Sequence, residues 1–238
     1  MKKILSVLML VVMLLGLCSC DQFEDTPETD AAFAAYEAAI TQTVLRKSGS
    51  VSVQTVNKDT MEETENIGVI EYNFSTDEES RVTFDRNDYT NGELVASYYG
   101  DGEKAYQMDL TTDQWVDVTE SSAAMLNHET NYMNTLSLFR IDNGFRYSKR
   151  FFESVTMSNG EDGGKIVIFT LKNSVVNDMF SYTDDRSLRR EQAHQSRSYY
   201  INSQGDLYKI VIDSTQNVSY EGKSGTLSNL ITVLVSFH

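Results

Sequence analysis

Residues 26–49, TPETDAAFAAYEAAITQTVLRKSG, have the pattern of one amphipathic helix with a boundary signal at each end. Thr26-Pro27 suits a helix start, because threonine caps the first N–H groups and proline lacks an N–H that would have no partner there. Arg46-Lys47 suits the negative end of the helix dipole, and Gly49 can end the helix. The apolar side chains recur at helical spacing and form one stripe: Phe33, Tyr36, Ile40 and Val44. We therefore predict a helix whose stripe packs against another element.

Most of the chain after Gly49 alternates apolar and polar residues, which is the period of half-buried strands. The predicted strands, about eleven in number, are 51–56, 67–74, 82–84, 94–99, 104–110, 115–118, 145–157, 165–171, 198–202, 207–213 and 226–237. Residues 226–237 are apolar on both faces and are predicted to form a central strand. Short helices are expected between Thr119 and Arg140 and after Asn173. The charged segment from Asp184 to Gln195 is expected to be an exposed loop.

Residues 1–19, upstream of the helix, have the pattern of a bacterial lipoprotein signal peptide. A positively charged start precedes an apolar segment from Ile4 to Leu17 that is too short to span a bilayer comfortably. The segment ends in Leu17-Cys18-Ser19-Cys20, which resembles a lipobox. The resemblance implies that Cys20 carries a diacylglyceryl thioether with acyl chains such as palmitate, whereas Cys18 would put a leucine where a small residue is required. The alternative is an ordinary secretory signal whose cysteines are incidental.

The net negative charge of the chain argues against some classes of binding partner. Once residues 1–19 are removed, 18 basic and 35 acidic side chains remain. This balance argues against nucleic-acid binding, which needs a basic face, and against electrostatic docking on an anionic membrane. The two acyl chains expected on Cys20 are the usual requirement for stable membrane attachment. We therefore expect an extracytoplasmic protein, held at the bacterial cell membrane through Cys20 and a short tether that covers residues 20–26.

Catalytic and metal-binding patterns are absent from the sequence, so we predict no enzyme and no cofactor. The three histidines, His128, His194 and His238, do not form a metal-ligand spacing. Glu191 and His194 could stand one helical turn apart, but a solvated loop is the better interpretation of that charged segment. No Gly-x-Ser-x-Gly elbow is present, and the mature chain would have no free cysteine nucleophile.

The order of these elements resembles the LolA/LppX-type lipoprotein fold. The resemblance depends on the lipobox, the N-terminal helix, the meandering strands with short helices midway, and two local patterns. These patterns are Tyr98-Tyr99-Gly100-Asp101-Gly102 before Gln114-Trp115, and Ser198 to Asn202 before strand 207–213. The resemblance implies a single mainly β (α+β) domain over residues 27–238. In this fold a curved antiparallel sheet forms an open half-barrel, and helices close its concave face over an apolar cavity.

A binding protein is the function that this resemblance implies. We predict a membrane-anchored lipoprotein that binds or carries a lipid-like hydrophobic ligand. The residues expected to line its cavity are Phe33, Tyr36, Ile40, Val44, Ile70, Tyr72, Phe74 and Trp115. The sequence alone does not separate a hollow interior from a filled core. The alternative is therefore an envelope adaptor or sensor with a packed core that binds a partner protein.

Overall fold

The computed structural model describes residues 26–126, 149–180 and 189–238, and within them all strands belong to one antiparallel sheet. The strands are β1 (Ser48–Asp59), β2 (Thr64–Thr76), β3 (Val82–Thr90), β4 (Glu93–Asp101), β5 (Ala105–Asp109), β6 (Gln114–Asp117), β7 (Phe152–Asn159), β8 (Lys165–Leu171), β9 (Arg189–Ile201), β10 (Leu207–Tyr220) and β11 (Lys223–Phe237). The helices are α1 (Pro27–Val44), α2 (Thr119–Ser122) and α3 (Asn173–Phe180), with 3-10 turns at Ala123–Leu126, Lys149–Phe151 and Glu161–Gly163. The expected eleven strands are confirmed.

The strand order is β6-β5-β4-β3-β2-β1-β11-β10-β9-β8-β7. Each strand pairs with its neighbour in sequence, except that β1 pairs with β11 and β6 and β7 are not neighbours. The sheet therefore consists of two meanders, β1–β6 and β7–β11, joined side by side through the first and last strands. Among the described residues β6 and β7 are the two edges, so the sheet is open and the connection 118–151 joins one edge to the other.

The two faces of the sheet differ in burial. On the face that we call inner, Val51 and Val53 of β1 stand opposite Val235 and Val233 of β11, and all four are buried. The prediction that β11 is a central strand is confirmed. Its second apolar face is not covered, however, since Leu234 on the outer face is 49% exposed. Strand β11 therefore lies in the middle of the strand order, as predicted from its apolar residues, but only its inner face is buried.

Helix α1 begins as predicted. The Thr26 side chain accepts a hydrogen bond from the Thr29 N–H at 3.2 Å, and the Thr29 hydroxyl accepts one from the Thr26 N–H at 2.9 Å. This reciprocal pair is a capping box, which satisfies two N–H groups at the helix start. The helix ends at Val44, earlier than predicted, so Arg46 and Lys47 lie beyond its last turn. Arg46 forms an ion pair with the Asp206 carboxylate in the β9–β10 hairpin instead of lying in the last turn of the helix.

Two other boundaries need correction. The segment expected to be an exposed loop up to Gln195 is a strand from Arg189 onward, because it pairs with β10 and buries Ala193 and Gln195. The strand expected from residue 145 begins at Phe152, after a 3-10 turn, and residues 145–148 lie outside the described chain. The second short helix expected before Arg140 also lies outside it.

Gly100 of β4 explains part of the local pattern at residues 98–102. It stands directly opposite Phe84 of β3 on the inner face. A Cβ added at Gly100 would lie 2.6 Å from Cδ1 of Phe84 and 3.1 Å from Cδ2 of Leu126. Both distances are below ordinary contact, so glycine is required for the buried Phe84 ring to lie across β4.

Candidate functional site

The stripe of α1 packs against aromatic side chains of the second meander. Phe33, Tyr36 and Ile40 are all buried. The ring of Phe33 lies 5.2 Å from that of Phe169 on β8, and the ring of Tyr36 lies 4.7 Å from that of Tyr199 on β9. Such tilted and edge-on contacts are the favoured geometries of aromatic pairs. The helix therefore lies on the inner face over β7–β9.

Polar contacts join both ends of α1 to neighbouring elements, the 3-10 turn before β7 at one end and the start of β10 at the other. At the first turn, Lys149 Nζ lies 2.6 Å from Oδ1 of Asp30. Near the last turn, the buried Thr43 hydroxyl accepts a hydrogen bond from the Leu207 N–H at 3.1 Å. The side chain of Val44, the fourth member of the predicted stripe, lies outside what the structure describes. Three of the four stripe residues are thus placed on the inner face.

A second aromatic group lies on the inner face of the first meander. The rings of Tyr72 and Phe74 are stacked at 5.6 Å, and Phe84 approaches Tyr72 at 6.0 Å. Ile70 packs against the same core while remaining partly exposed. Burial raises the pKa of the Tyr72 phenol well above its usual range, although the nearby Arg86 guanidinium lowers it in part. The structure thus puts Ile70, Tyr72 and Phe74 on the face that α1 occupies.

Trp115, in contrast, is separated from the other predicted ligand-binding residues. It stands opposite Met108 on the outer face, because Ala105 and Tyr106 of β5 point to opposite sides and Ala105 is buried. Its ring is 41% exposed and packs edge-on against Tyr99 at 4.7 Å. Trp115 therefore does not line the inner face.

The inner face is ordered into rows, each formed by residues directly opposite one another on neighbouring strands. One row, here named the apolar row, consists of Val167, Tyr199, Ile210, Val233, Val53 and Ile70. A second row, here named the polar row, consists of Gln195, Ser214, Asn229, Asn57 and Asn66. The inner face is therefore apolar near α1 and polar towards the other end of its long strands.

The polar row and its neighbours on β9 were missed by the sequence reasoning. Gln195 and Arg197 are buried, and the Arg197 Nε–H donates to Oε1 of Gln195 at 2.9 Å. The Gln195 amide in turn donates to the Ser214 hydroxyl at 2.8 Å. The alternation of a strand is present here, since every second residue from Ala193 to Ile201 is buried. It was not recognised in the sequence because two of the buried residues, Gln195 and Arg197, are polar.

Two open depressions are formed by described residues, and neither is the predicted apolar cavity. One, of about 580 Å3, lies beside the β4–β5 hairpin and is lined by charged and hydroxyl side chains such as Lys104 and Asp117. The other, of about 280 Å3, lies where β1, β2 and β11 meet, and includes Ser52 and Leu234. Both depressions are open to solvent.

Within residues 26–126, 149–180 and 189–238, no group of three or more histidine, cysteine or carboxylate side chains could hold a metal ion. His194, expected in a loop, is an exposed residue of β9. None of the described helices has the length and apolar character needed to cross a bilayer.

Comparison with known proteins yields structural neighbours only. No protein-family model matches the sequence, and no curated protein matches it either. Among solved structures, LprF from Mycobacterium bovis matches at 12% identity over 88% of this chain and 93% of its own, with a TM-score of 0.45. A LolA superfamily protein from Nitrosomonas europaea matches at 11% identity over 87% of this chain and 93% of its own, with a TM-score of 0.28.

A third neighbour is a putative outer membrane lipoprotein-sorting protein domain from Vibrio parahaemolyticus. It matches at 7% identity over 87% of this chain and 93% of its own, with a TM-score of 0.28. Identities and TM-scores this low support no transfer of function. The expected open antiparallel sheet with an N-terminal helix on its inner face is the architecture of this chain.

Proposed function

We propose that this protein is an extracytoplasmic lipoprotein that holds a lipid-like hydrophobic ligand against the inner face of its sheet. The observation that supports the proposal is the width of the apolar row. It crosses six strands from Val167 on β8 to Ile70 on β2. Strands lie about 4.8 Å apart, so the row is roughly 24 Å wide.

Helix α1 covers part of this width. Its rings lie over Phe169 on β8 and Tyr199 on β9, and Thr43 near its last turn contacts Leu207 at the start of β10. Ile70, at the other end of the row, is only partly buried. A lipid-like ligand would extend the apolar cover of this face. Ligand pockets of this kind are lined mainly by apolar and aromatic side chains.

The binding test uses the chain from Asp21 to His238, which contains every described helix and strand. This protein, purified without detergent, is titrated with a fluorescent acyl-chain probe that has no free carboxylate. Val53→Phe fills space on the inner face and should weaken uptake severalfold. Val56→Phe, on the outer face of the same strand, should not weaken it. Equal uptake by the two variants, or no saturable uptake by the unmodified chain, would contradict the proposal.

The anchor is proposed separately and has its own test. Residues 1–19 would be removed and Cys20 lipidated, with residues 20–26 as the tether and 27–238 as the single binding domain. Cys20→Ala should give a chain that no longer partitions with membranes, whereas Cys18→Ala should still be lipidated. Mass spectrometry of the mature N-terminus checks both. A lipid on Cys18, or none on either residue, would refute the anchor.

The alternative function is an envelope adaptor that binds a partner protein. It is favoured by the outer face of β11, where Leu230 and Leu234 are 40% and 49% exposed. Exposed apolar groups of this size often mark interaction surfaces. Lack of lipid uptake, together with loss of partner capture in Leu234→Ser, would favour the adaptor over the carrier.

A further inference from the structure

The chemistry of the inner face changes along the strands. On β10, Ile210 and Ile212 are followed on the same face by Ser214 and Gln216, and all four are buried. Register carries the change across the sheet, because Ser214 stands opposite both Gln195 and Asn229. The polar row continues on β1 and β2 into Asn57 and Asn66, which are both exposed. The inner face therefore has a polar band at Ser214 and Gln216, beyond which Val218 is again apolar and buried.

Gln216 differs from the other residues of this polar band in its hydrogen bonding. Its Nε2–H donates to Oδ1 of Asn177 on α3 at 2.9 Å, and the Asn177 amide donates to Oδ1 of Asn173. Its own Oε1 accepts no hydrogen bond from any described residue, although Gln216 is only 1% exposed. A buried acceptor without a donor is rare and unfavourable, because it has lost water without replacing it.

The direction of this hydrogen-bond chain defines what can bind. Gln216 donates to Asn177 and Asn177 donates to Asn173, which leaves the Gln216 amide oxygen as an acceptor at the start of the chain. A hydroxyl group of a ligand can donate to that oxygen, while a carboxylate would place a second acceptor against it. The site therefore favours a hydroxyl-bearing headgroup over a free fatty acid at this position.

The apolar end is long enough for a membrane lipid. Eight residues of β1 separate Asn57 in the polar row from Gly49 at the opposite end, which is about 26 Å at 3.3 Å per residue. One leaflet of a bilayer has about 15 Å of hydrocarbon, half of the 30 Å core. An acyl chain of ordinary length can therefore lie along the inner face while its headgroup stays at the polar row.

We propose that the polar row and Gln216 form a headgroup site for an amphiphile with free hydroxyl groups, whose acyl chain runs along the strands from the polar row across the apolar row. This inference rests on the proposed lipid-binding function and specifies its ligand class. The hydroxyl can belong to glycerol or to a sugar, since Gln216 Oε1 accepts from either. Binding requires the side chains that now cover this oxygen to give way to the headgroup.

The test compares three probes of matched chain length on the chain from Asp21 to His238. Monopalmitoylglycerol and hexadecyl glucoside carry free hydroxyls, whereas methyl palmitate carries none. A hydrogen bond to an otherwise unpaired buried group predicts about tenfold tighter binding of a hydroxylated probe. Gln216→Leu should remove this preference and leave the affinity for methyl palmitate unchanged. Gln54→Leu, on the exposed outer face of β1, should retain the preference.

The outcomes separate the headgroup site from the proposed lipid-binding function on which it rests. Preference for either hydroxylated probe identifies glycerol or sugar as the source and supports the site. Equal binding of all three probes by the unmodified chain overturns the site while leaving lipid binding intact. A preference that survives Gln216→Leu also overturns it. If Gln216→Leu fails to fold, Asn57→Ala at the exposed end of the polar row should weaken the same preference. Absence of binding by any probe overturns the proposed function itself.

Discussion

The ion pair between Arg46 and Asp206 should be one of the contacts that stabilise the packing of α1 on the sheet. Asp206 lies in the β9–β10 hairpin, and its side chain is only 5% exposed. Its carboxylate accepts hydrogen bonds from Arg46 Nε at 2.9 Å and from an Arg46 terminal nitrogen at 2.6 Å, with a third from Gln42 Nε2 at 3.2 Å. Arg46→Met would remove two donors and leave a buried carboxylate with the Gln42 amide alone.

The expected loss follows from the burial of the two partners. Breaking a fully buried pair costs about 3–5 kcal/mol. The Arg46 side chain is 40% exposed, however, so solvent already screens part of the attraction and we expect about 2 kcal/mol. Methionine keeps the apolar stem of the side chain, which limits the change to the guanidinium. Urea denaturation of the chain from Asp21 to His238 measures the difference.

A double-mutant cycle isolates the pair. Arg46→Met and Asp206→Asn should be coupled by about 1–2 kcal/mol, because neighbouring residues that share hydrogen bonds are not additive. Arg81→Met is the matched control, since Arg81 pairs with Asp77 on the surface, where solvent screens the pair, and this variant should lose clearly less stability than Arg46→Met. Zero coupling in the cycle, or equal losses for the two arginine variants, would refute the view that this contact holds the helix.

Three further predictions concern the helix, the inner face and the hairpins. Ile40→Asp should lower the free energy of unfolding by about 3 kcal/mol because it buries an unpaired charge, whereas Ala38→Asp on the exposed side of α1 should cost under about 1 kcal/mol; equal melting temperatures would contradict this. Gly100→Ala should cost about 1–3 kcal/mol by overpacking, whereas Gly68→Ala, whose Cβ would meet nothing closer than 4.0 Å, should be tolerated, and matched denaturation midpoints would contradict it. Hydrogen bonds from the Arg81 backbone and side chain lower the pKa of Asp77, so its contribution to stability is present above about pH 4 and lost as pH falls through the lowered pKa. Asp77→Asn should therefore melt below the unmodified chain at pH 6 and level with it at pH 2; a difference that persists in acid would refute this.

The sequence was most informative where one local pattern determined the structure. The Thr26-Pro27 start of α1 and the bounds of β8 at Lys165 and Leu171 follow from capping and alternation, which need no distant partner. The hairpin before Leu207 followed from its turn residues. These features are local, so the residues that determine them lie within a few positions of one another.

Features that depend on distant partners were not predicted. Gln42 falls off the apolar stripe, yet it donates to the Gln204 carbonyl at 2.9 Å because the β9–β10 hairpin lies beside the helix end. Gln195 was placed in an exposed loop, yet it is buried because its amide donates to the Ser214 hydroxyl on the neighbouring strand β10. Trp115 was placed with the cavity residues because an aromatic residue in a strand gives no indication of which face it occupies. Only the strand register resolves that question.

The central claim is that the inner face holds a lipid-like ligand, and native mass spectrometry tests it most directly. The chain from Asp21 to His238 is expressed, purified without detergent and incubated with a lipid extract. The account predicts a second mass peak that corresponds to one bound lipid per chain, is lost in Val53→Phe and is retained in Val56→Phe. A single peak at the mass of the bare chain before and after lipid addition, with an unchanged melting temperature, would contradict it.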